Sequence, residues 1–286
     1  MRPLSVPPLV SPAWVAERPG QHGLVPLDAS WYLPAAERDA RMEYRAGHLP
    51  GAIYVDLDRI SDPGNALPHT LPGAAHFAAV VGELGVGNGD TLIVYDGSGG
   101  NLSAARVWWM FRQYGHDSAA VLDGGLAAWR RAGLPLDTGE VQRPRQRYQV
   151  TRDVIGVRDL AAVNDALTSG SAQVVDLRSS GRFAGRDPEP RPGLPSGHMA
   201  GAINLPYTEL VDGAGVALPD TALRARLAAA GIDLARPIIA TCGSGTSACN
   251  LLLGLERLGV TGATLYDGSW TEWVSRGMQI TTGAPA

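Results

Sequence analysis

The chain contains no lysine, and all 24 of its basic residues are arginine. With a formal net charge of −4 and no basic cluster, a nucleic-acid surface is excluded as its main function, because that role needs a concentrated positive field. Codon bias alone produces an arginine-only chain, although the guanidinium fork also suits carboxylate recognition. Cysteine is nearly absent: Cys242 and Cys249 lie seven positions apart. Two such residues build no disulfide framework and lack the paired spacing of metal ligands, so no metal or other cofactor is expected. No apolar run approaches the ~20 residues that cross a bilayer. The opening "MRPLSVPPLVSPAW" lacks the apolar core of a signal peptide. The cytosol is therefore the expected compartment, and no membrane is expected as partner.

What is present is the composition of a globular protein. There are 286 residues, 45% of them apolar and 18% charged, enough for one large or two medium domains with a proper core. The chain also repeats itself. "GHLPGAIYVDL" begins at Gly47 and "GHMAGAINLPY" at Gly197, 150 positions later. "LIVYDGSGGNLSAARV" from Leu92 parallels "IIATCGSGTSACNLL" from Ile238, and "VLDGGLAAW" from Val121 parallels "TLYDGSWTEW" from Thr264. Three pairs in the same order indicate a duplicated domain. The expected division is residues 1–138, a polar linker at 139–150 without periodicity, and residues 151–286. Within each half, short apolar strands such as 173–176 alternate with helical patterns such as 221–230. That alternation predicts an α/β fold, a mostly parallel sheet flanked by helices in each half.

The stretch "PIIATCGSGTSACNLLLGLERLG" carries the strongest chemical signal. Residues 237–241 read as a strand buried on both faces. From Ala248, the residues Leu251, Leu252, Leu255 and Leu258 recur at helical spacing, with Gly259 as a stop. Between them "CGSGTS" reads as a turn. Cys242 thus sits where a strand ends and a helix begins, at the end of a sheet where ligands bind in such folds. Outward-facing amides and the helix dipole favour a thiolate there, which turns the cysteine into a nucleophile. Aligning the halves sets Asp96 opposite Cys242, so only the second half offers a thiol. Cys249, one turn into the helix without polar company, reads as core.

The ordered repeat, the "GHxxGA" motif in both halves and the loop "CGSGTSA" resemble the rhodanese superfamily across nearly the whole chain. Within it, the loop is similar to that of the 3-mercaptopyruvate sulfurtransferases, which carry Cys-Gly-Ser-Gly where thiosulfate sulfurtransferases usually carry Cys-Arg-Lys-Gly. The resemblance implies two tandem rhodanese-like domains, the first silent and the second catalytic. It implies transfer of sulfur from a small-molecule donor through a Cys242 persulfide to a thiol acceptor, such as thioredoxin or a small thiol, or to cyanide. Residues 242–247 can curl their amides into an anion nest for thiolate and persulfide. Gly243 and Gly245 supply conformational freedom for a tight cradle, and Gly243, Gly245, Thr246 and Ser247 are assigned to substrate binding. An uncharged mouth disfavours the thiosulfate dianion. The substrate arginines of the family fall in "GRF" and "EPR", here Arg182 and Arg191, while Arg178 and Arg186 read as structural ion-pair formers. A Ser-His-Asp proton relay maps to Ser244, His69 and Asp58, the last two in the first half. His48 and His198, which occur in both halves, read as structural.

Three rivals remain. A phosphatase of the same fold needs an arginine six positions after the cysteine, and that position is Ala248. A non-catalytic binding module has a precedent in Asp96, against which stand the intact Cys242 loop and both arginines. Thiosulfate sulfurtransferase is the nearest alternative, since the two activities overlap in donor use.

Overall fold

The computed structural model describes residues 4–18, 20–21 and 23–283. The chain forms two compact units. One takes in the described residues up to Asn65, Leu71–Ile155 and Gly213–Ala217; the other takes in Ala66–Thr70, Gly156–Asp212 and the described residues from Leu218 onward. Two short segments, 66–70 and 213–217, thus cluster with the unit built mainly from the other half of the sequence.

The first unit holds five strands: β1 (Leu9–Val10), β2 (Leu24–Asp28), β3 (Ile53–Tyr54), β4 (Thr91–Tyr95) and β5 (Ala119–Leu122). They pair in parallel in the order β1-β5-β4-β2-β3. The second unit holds β6 (Val157–Arg158), β7 (Gln173–Asp176), β8 (Ile203–Asn204), β9 (Ile238–Thr241) and β10 (Thr264–Tyr266). Its parallel order, β6-β10-β9-β7-β8, repeats the first. Every residue of β4 and β9 is buried, as near-continuous apolar runs in a helix-covered parallel sheet should be. The strand expected at 237–241 starts one residue later. Pro237 has no N–H for the ladder, but its carbonyl still accepts from Gln173 N at 2.9 Å.

Each sheet closes over its own core. Tyr44, Ile93, Tyr95, Leu122 and Trp129 pack in the first unit; Val174, Phe183, Met199, Ile239, Trp270 and Trp273 pack in the second. The repeated "GH" motifs pin a passing strand in both. His48 and Asp137 exchange backbone hydrogen bonds, as do His198 and Thr281. Each imidazole meets a carbonyl through Nδ1, His48 at Tyr44 O (2.8 Å) and His198 at Phe183 O (2.9 Å). Each also stacks on the ring of that same residue. Residues 139–150 adopt no helix or strand. They run along the first unit, with Gln146 N donating to Gly82 O at 2.9 Å and Glu140 paired to Arg41 and Arg45.

In the second sheet the chain passes from β7 outward to β8 and then returns to β9 and β10 on the other side. The strand order therefore reverses between β7 and β9, and the crevice beyond their carboxyl ends is where ligands bind in open parallel sheets. Asp176 ends β7 and Thr241 ends β9. Among the described residues no helix is long and apolar enough to cross a membrane.

Candidate active site

Cys242 follows β9 directly and is 2% exposed. The helix Ala248–Arg257 begins six residues later, with Ser247 at its N-cap and no side chain capping its first amides. The intervening loop is fastened from outside by the helix Ser269–Ser275. Trp270 N donates to Cys242 O at 3.0 Å, and Thr271 gives its N (3.1 Å) and Oγ1 (2.7 Å) to Gly243 O. In a trans peptide the N–H points opposite to the C=O. The amides of Gly243 and Ser244 therefore face away from that helix, into the loop, where they are placed to stabilise an anion. Only Gly245 uses a left-handed conformation, with φ +74°. The freedom expected of Gly243 is not used, and its lack of a side chain matters for a different reason given below.

The equivalent loop of the first unit already holds an anion of its own. The Asp96 carboxylate accepts from Ser98 N (2.8 Å), Ser103 N (3.0 Å) and Ala104 N (2.8 Å), and from the hydroxyls of Ser98 and Ser103. Leu126 N donates to Asp96 O at 3.0 Å, as Trp270 N does to Cys242 O. The same strand-turn-helix geometry thus cradles a carboxylate in one unit and houses a thiol in the other.

Arg182 and Arg191 both approach the thiol loop at Gly243. A Cβ on Gly243 would stand 3.0 Å from Arg182 Nη2 and 3.9 Å from Arg191 Nη1, so a side chain there would press on the end of the Arg182 guanidinium. Arg182 lies at the end of the short helix Ser180–Phe183, whose N-cap Ser179 accepts from Arg182 N. Its guanidinium donates through Nε and Nη2 to Glu189 Oε2, and Arg178 Nη1 donates to Glu189 Oε1 at 2.7 Å. Arg178 is itself buried, held by Asp176 (Nη2 to Oδ2, 2.6 Å) and Gly197 O (2.7 Å), with its guanidinium 4.1 Å above the Trp270 ring. Burial works against its charge, yet the carboxylates of Asp176 and Glu189 outweigh that and raise its pKa above the ordinary arginine value. Arg186 is exposed at the loop surface.

His69 belongs to the segment Ala66–Thr70 of this unit and is 4% exposed. Its Nδ1 stands 3.4 Å from Ser244 Oγ and 3.3 Å from Thr246 Oγ1. Asp58 lies in the other unit, in the first turn of the helix Leu57–Ile60, where Oδ2 accepts from Trp31 Nε1 at 3.4 Å. Cys249 is fully buried, with Sγ 3.3 Å from Gly245 O.

Sequence reasoning missed three groups. Glu189 stands inside the quoted "EPR", but nothing local said that it bridges two arginines. Asp176 is the last residue of a strand and looked like an ordinary strand end. Ser269, in the repeated "DGSW", has φ +52°; its Oγ accepts from Cys242 N at 3.3 Å and donates to Tyr266 O at 2.8 Å.

Comparison with known proteins agrees with the tandem fold. The sequence profile of the Rhodanese-like domain family matches residues 11–132 and again 159–276. The 3-mercaptopyruvate sulfurtransferase of Homo sapiens is 43% identical over 274 residues, covering 94% of this chain and 92% of that protein. The thiosulfate sulfurtransferase of Cricetulus griseus is 41% identical over 272 residues, covering 93% of this chain and 91% of that protein. The crystal structure of SseA, a 3-mercaptopyruvate sulfotransferase from Escherichia coli, superposes with a TM-score of 0.84 at 36% identity, covering 93% of this chain and 99% of that one.

Proposed function

The chain belongs to the rhodanese-like domain family, and we propose that it moves sulfur from 3-mercaptopyruvate to a thiol acceptor through a persulfide on Cys242. The observation that carries this reading is that Arg182 and Arg191 both bring a guanidinium nitrogen to the space a Cβ on Gly243 would fill, beside the cysteine loop. Two guanidinium forks suit a carboxylate with a neighbouring keto oxygen, which 3-mercaptopyruvate offers.

The chemistry balances without a cofactor. The Cys242 thiolate attacks the substrate sulfur, the S–S bond forms, and the C–S bond breaks with its electron pair going to carbon. The resulting enolate takes the proton that the substrate thiol gives up, and the products are a Cys242 persulfide anion and pyruvate. Ser244 and His69 are assigned to carrying that proton. A thiolate acceptor, of the thioredoxin class or a small thiol, then attacks the outer sulfur and restores the Cys242 thiolate. Two free thiols suit a reducing compartment, and the cytosol is proposed on that ground.

Mass spectrometry after incubation with 3-mercaptopyruvate should show one added sulfur per chain, on the Cys242 peptide, with pyruvate released. Cys242→Ser should abolish both and Cys249→Ser should retain them. In steady state, kcat/KM should be higher for 3-mercaptopyruvate than for thiosulfate. Equal or better use of thiosulfate would assign the sibling activity instead, and sulfur on Cys249 would overturn the site.

A further inference from the structure

His69 faces two hydroxyls rather than one. Ser244 Oγ and Thr246 Oγ1 stand 3.4 Å and 3.3 Å from the same atom, Nδ1. That nitrogen has one in-plane position, a lone pair in neutral imidazole or a proton in imidazolium, so the two hydroxyls compete for it. Both distances are longer than the ~2.7–2.9 Å of a settled bond to a hydroxyl, which is the geometry of sharing. All three side chains are buried, with exposures of 4% for His69, 6% for Ser244 and 5% for Thr246. Buried polar atoms are expensive to leave unpaired, so whichever hydroxyl turns away must leave the other in place. The histidine is also held in a costly backbone state, at φ +60°, as residues at functional sites often are.

The two hydroxyls are not equivalent. Threonine is β-branched and stiff at χ1, and the Thr246 carbonyl is anchored by Cys249 N at 3.2 Å. Serine turns more freely, and Ser244 is next to Gly243, which the Arg182 guanidinium approaches. We propose that Thr246 is a positioning residue that keeps His69 Nδ1 hydrogen-bonded while the Ser244 hydroxyl serves the reacting atoms. In the resting site Thr246 donates to the neutral ring and holds Nδ1 as the acceptor, so the proton resides on the other nitrogen. When Ser244 takes the proton of the substrate thiol, Thr246 turns its hydrogen off the Nδ1 lone pair, Ser244 passes its own proton there, and the imidazolium then donates to Thr246 Oγ1. The return step moves that proton back through Ser244 to the carbon freed by C–S cleavage. No atom or electron is left over, and Thr246 ends the cycle as it began.

The kinetic part of this inference rests on the sulfur-transfer reading above; the spectroscopic part concerns the resting protein and does not. Thr246→Val preserves shape and removes the hydroxyl. It should lower kcat for 3-mercaptopyruvate by about twofold to tenfold, the factor for a lost neutral hydrogen bond, with KM changed less. Thr246→Ser should restore most of the loss. In histidine-labelled protein, the 15N signal of His69 Nδ1 should stay that of a hydrogen-bonded acceptor in Ser244→Ala. It should shift toward an unbonded or mixed-tautomer value only when Thr246→Val is added. An unbonded signal in Ser244→Ala alone, or unchanged kcat in Thr246→Val, would overturn the assignment. A normal spectroscopic response without any persulfide formation would leave the Thr246 contact standing and remove the sulfur-transfer reading instead.

Discussion

Glu189 carries two guanidinium groups on one carboxylate, Arg178 on Oε1 and Arg182 on Oε2, with its side chain only 2% exposed. Arg178 keeps a second partner in Asp176, so its place is doubly determined. Arg182 reaches the mouth of the cysteine loop, and Glu189 sets the direction from which it arrives. Two N–H groups of Arg182 converge on one Glu189 oxygen, which orients the fork as well as neutralising it. Glu189→Gln keeps the volume and one acceptor oxygen but removes the charge. The variant should raise KM for 3-mercaptopyruvate by about tenfold or more, because a charge-assisted bond is worth roughly 1.5–3 kcal/mol. It should also unfold at lower urea, since the buried Arg178 guanidinium loses one of its two counter-charges. Arg182→Ala sets the upper limit of the KM effect. An Arg182→Ala defect with normal kinetics in Glu189→Gln would show that Arg182 needs no such support.

Between elements, the helix Ser269–Ser275 works as a clamp on the cysteine loop. Its first residue adopts φ +52°, the conformation that the first unit gives to Gly125 at +54°. In the first unit a glycine is required, because a Cβ on Gly125 would come within 2.4 Å of Asp96 O. In the second unit a serine stands there, and its Oγ holds Cys242 N and Tyr266 O. The left-handed strain is thus offset by three hydrogen bonds, from the amide of the nucleophile, from the Thr241 hydroxyl and to the Tyr266 carbonyl. Ser269→Ala keeps the strain and loses all three bonds, while Ser269→Gly loses the bonds and relieves the strain. Urea unfolding should therefore rank wild type above glycine and glycine above alanine. The alanine variant should be less stable by about 1–3 kcal/mol, and its Cys242 should form persulfide more slowly. Alanine more stable than glycine would mean that Ser269 is not strained.

At the scale of the molecule, one strand order is used twice and one kind of loop is filled in two ways, by the Asp96 carboxylate and by the Cys242 thiol. The unit with Asp96 also contains a titratable group that bears on stability. Burial lowers the pKa of His116 below its ordinary 6.5. The ring meets Asp90 O through Nε2 at 3.0 Å and the Tyr148 hydroxyl through Nδ1 at 3.3 Å, the pairing of a neutral imidazole. Below about pH 6.5 the unfolded chain binds a proton at this residue that the folded chain refuses. The contribution of His116 to stability is therefore complete above 6.5 and falls as pH drops toward the lower folded value. The urea midpoint should decrease between pH 7.5 and 5.5, and His116→Gln should flatten that slope. An unchanged slope in the variant would assign the pH dependence to other groups.

What the sequence determined by itself was local or repetitive. The three ordered pairs of motifs expose the duplication because both copies of the "GH" stretch and both copies of the strand-turn-helix solve the same packing problem. Continuous apolar runs such as 238–241 announce buried strands, and leucines at helical spacing announce the helix after Cys242, since each pattern follows from a short-range period. Arg182 and Arg191 were readable only through resemblance, as an arginine-rich loop has no period of its own. Tertiary structure alone decided which side chains meet. It brings His69 to Ser244 and Thr246 across 175 and 177 positions of chain, gives Ala66–Thr70 to the second unit, sets Glu189 between two arginines and turns the Ser269 hydroxyl onto the amide of Cys242. These contacts depend on where whole elements pack, and a hydrogen bond formed over such a separation leaves no period or spacing in the sequence from which it could be read.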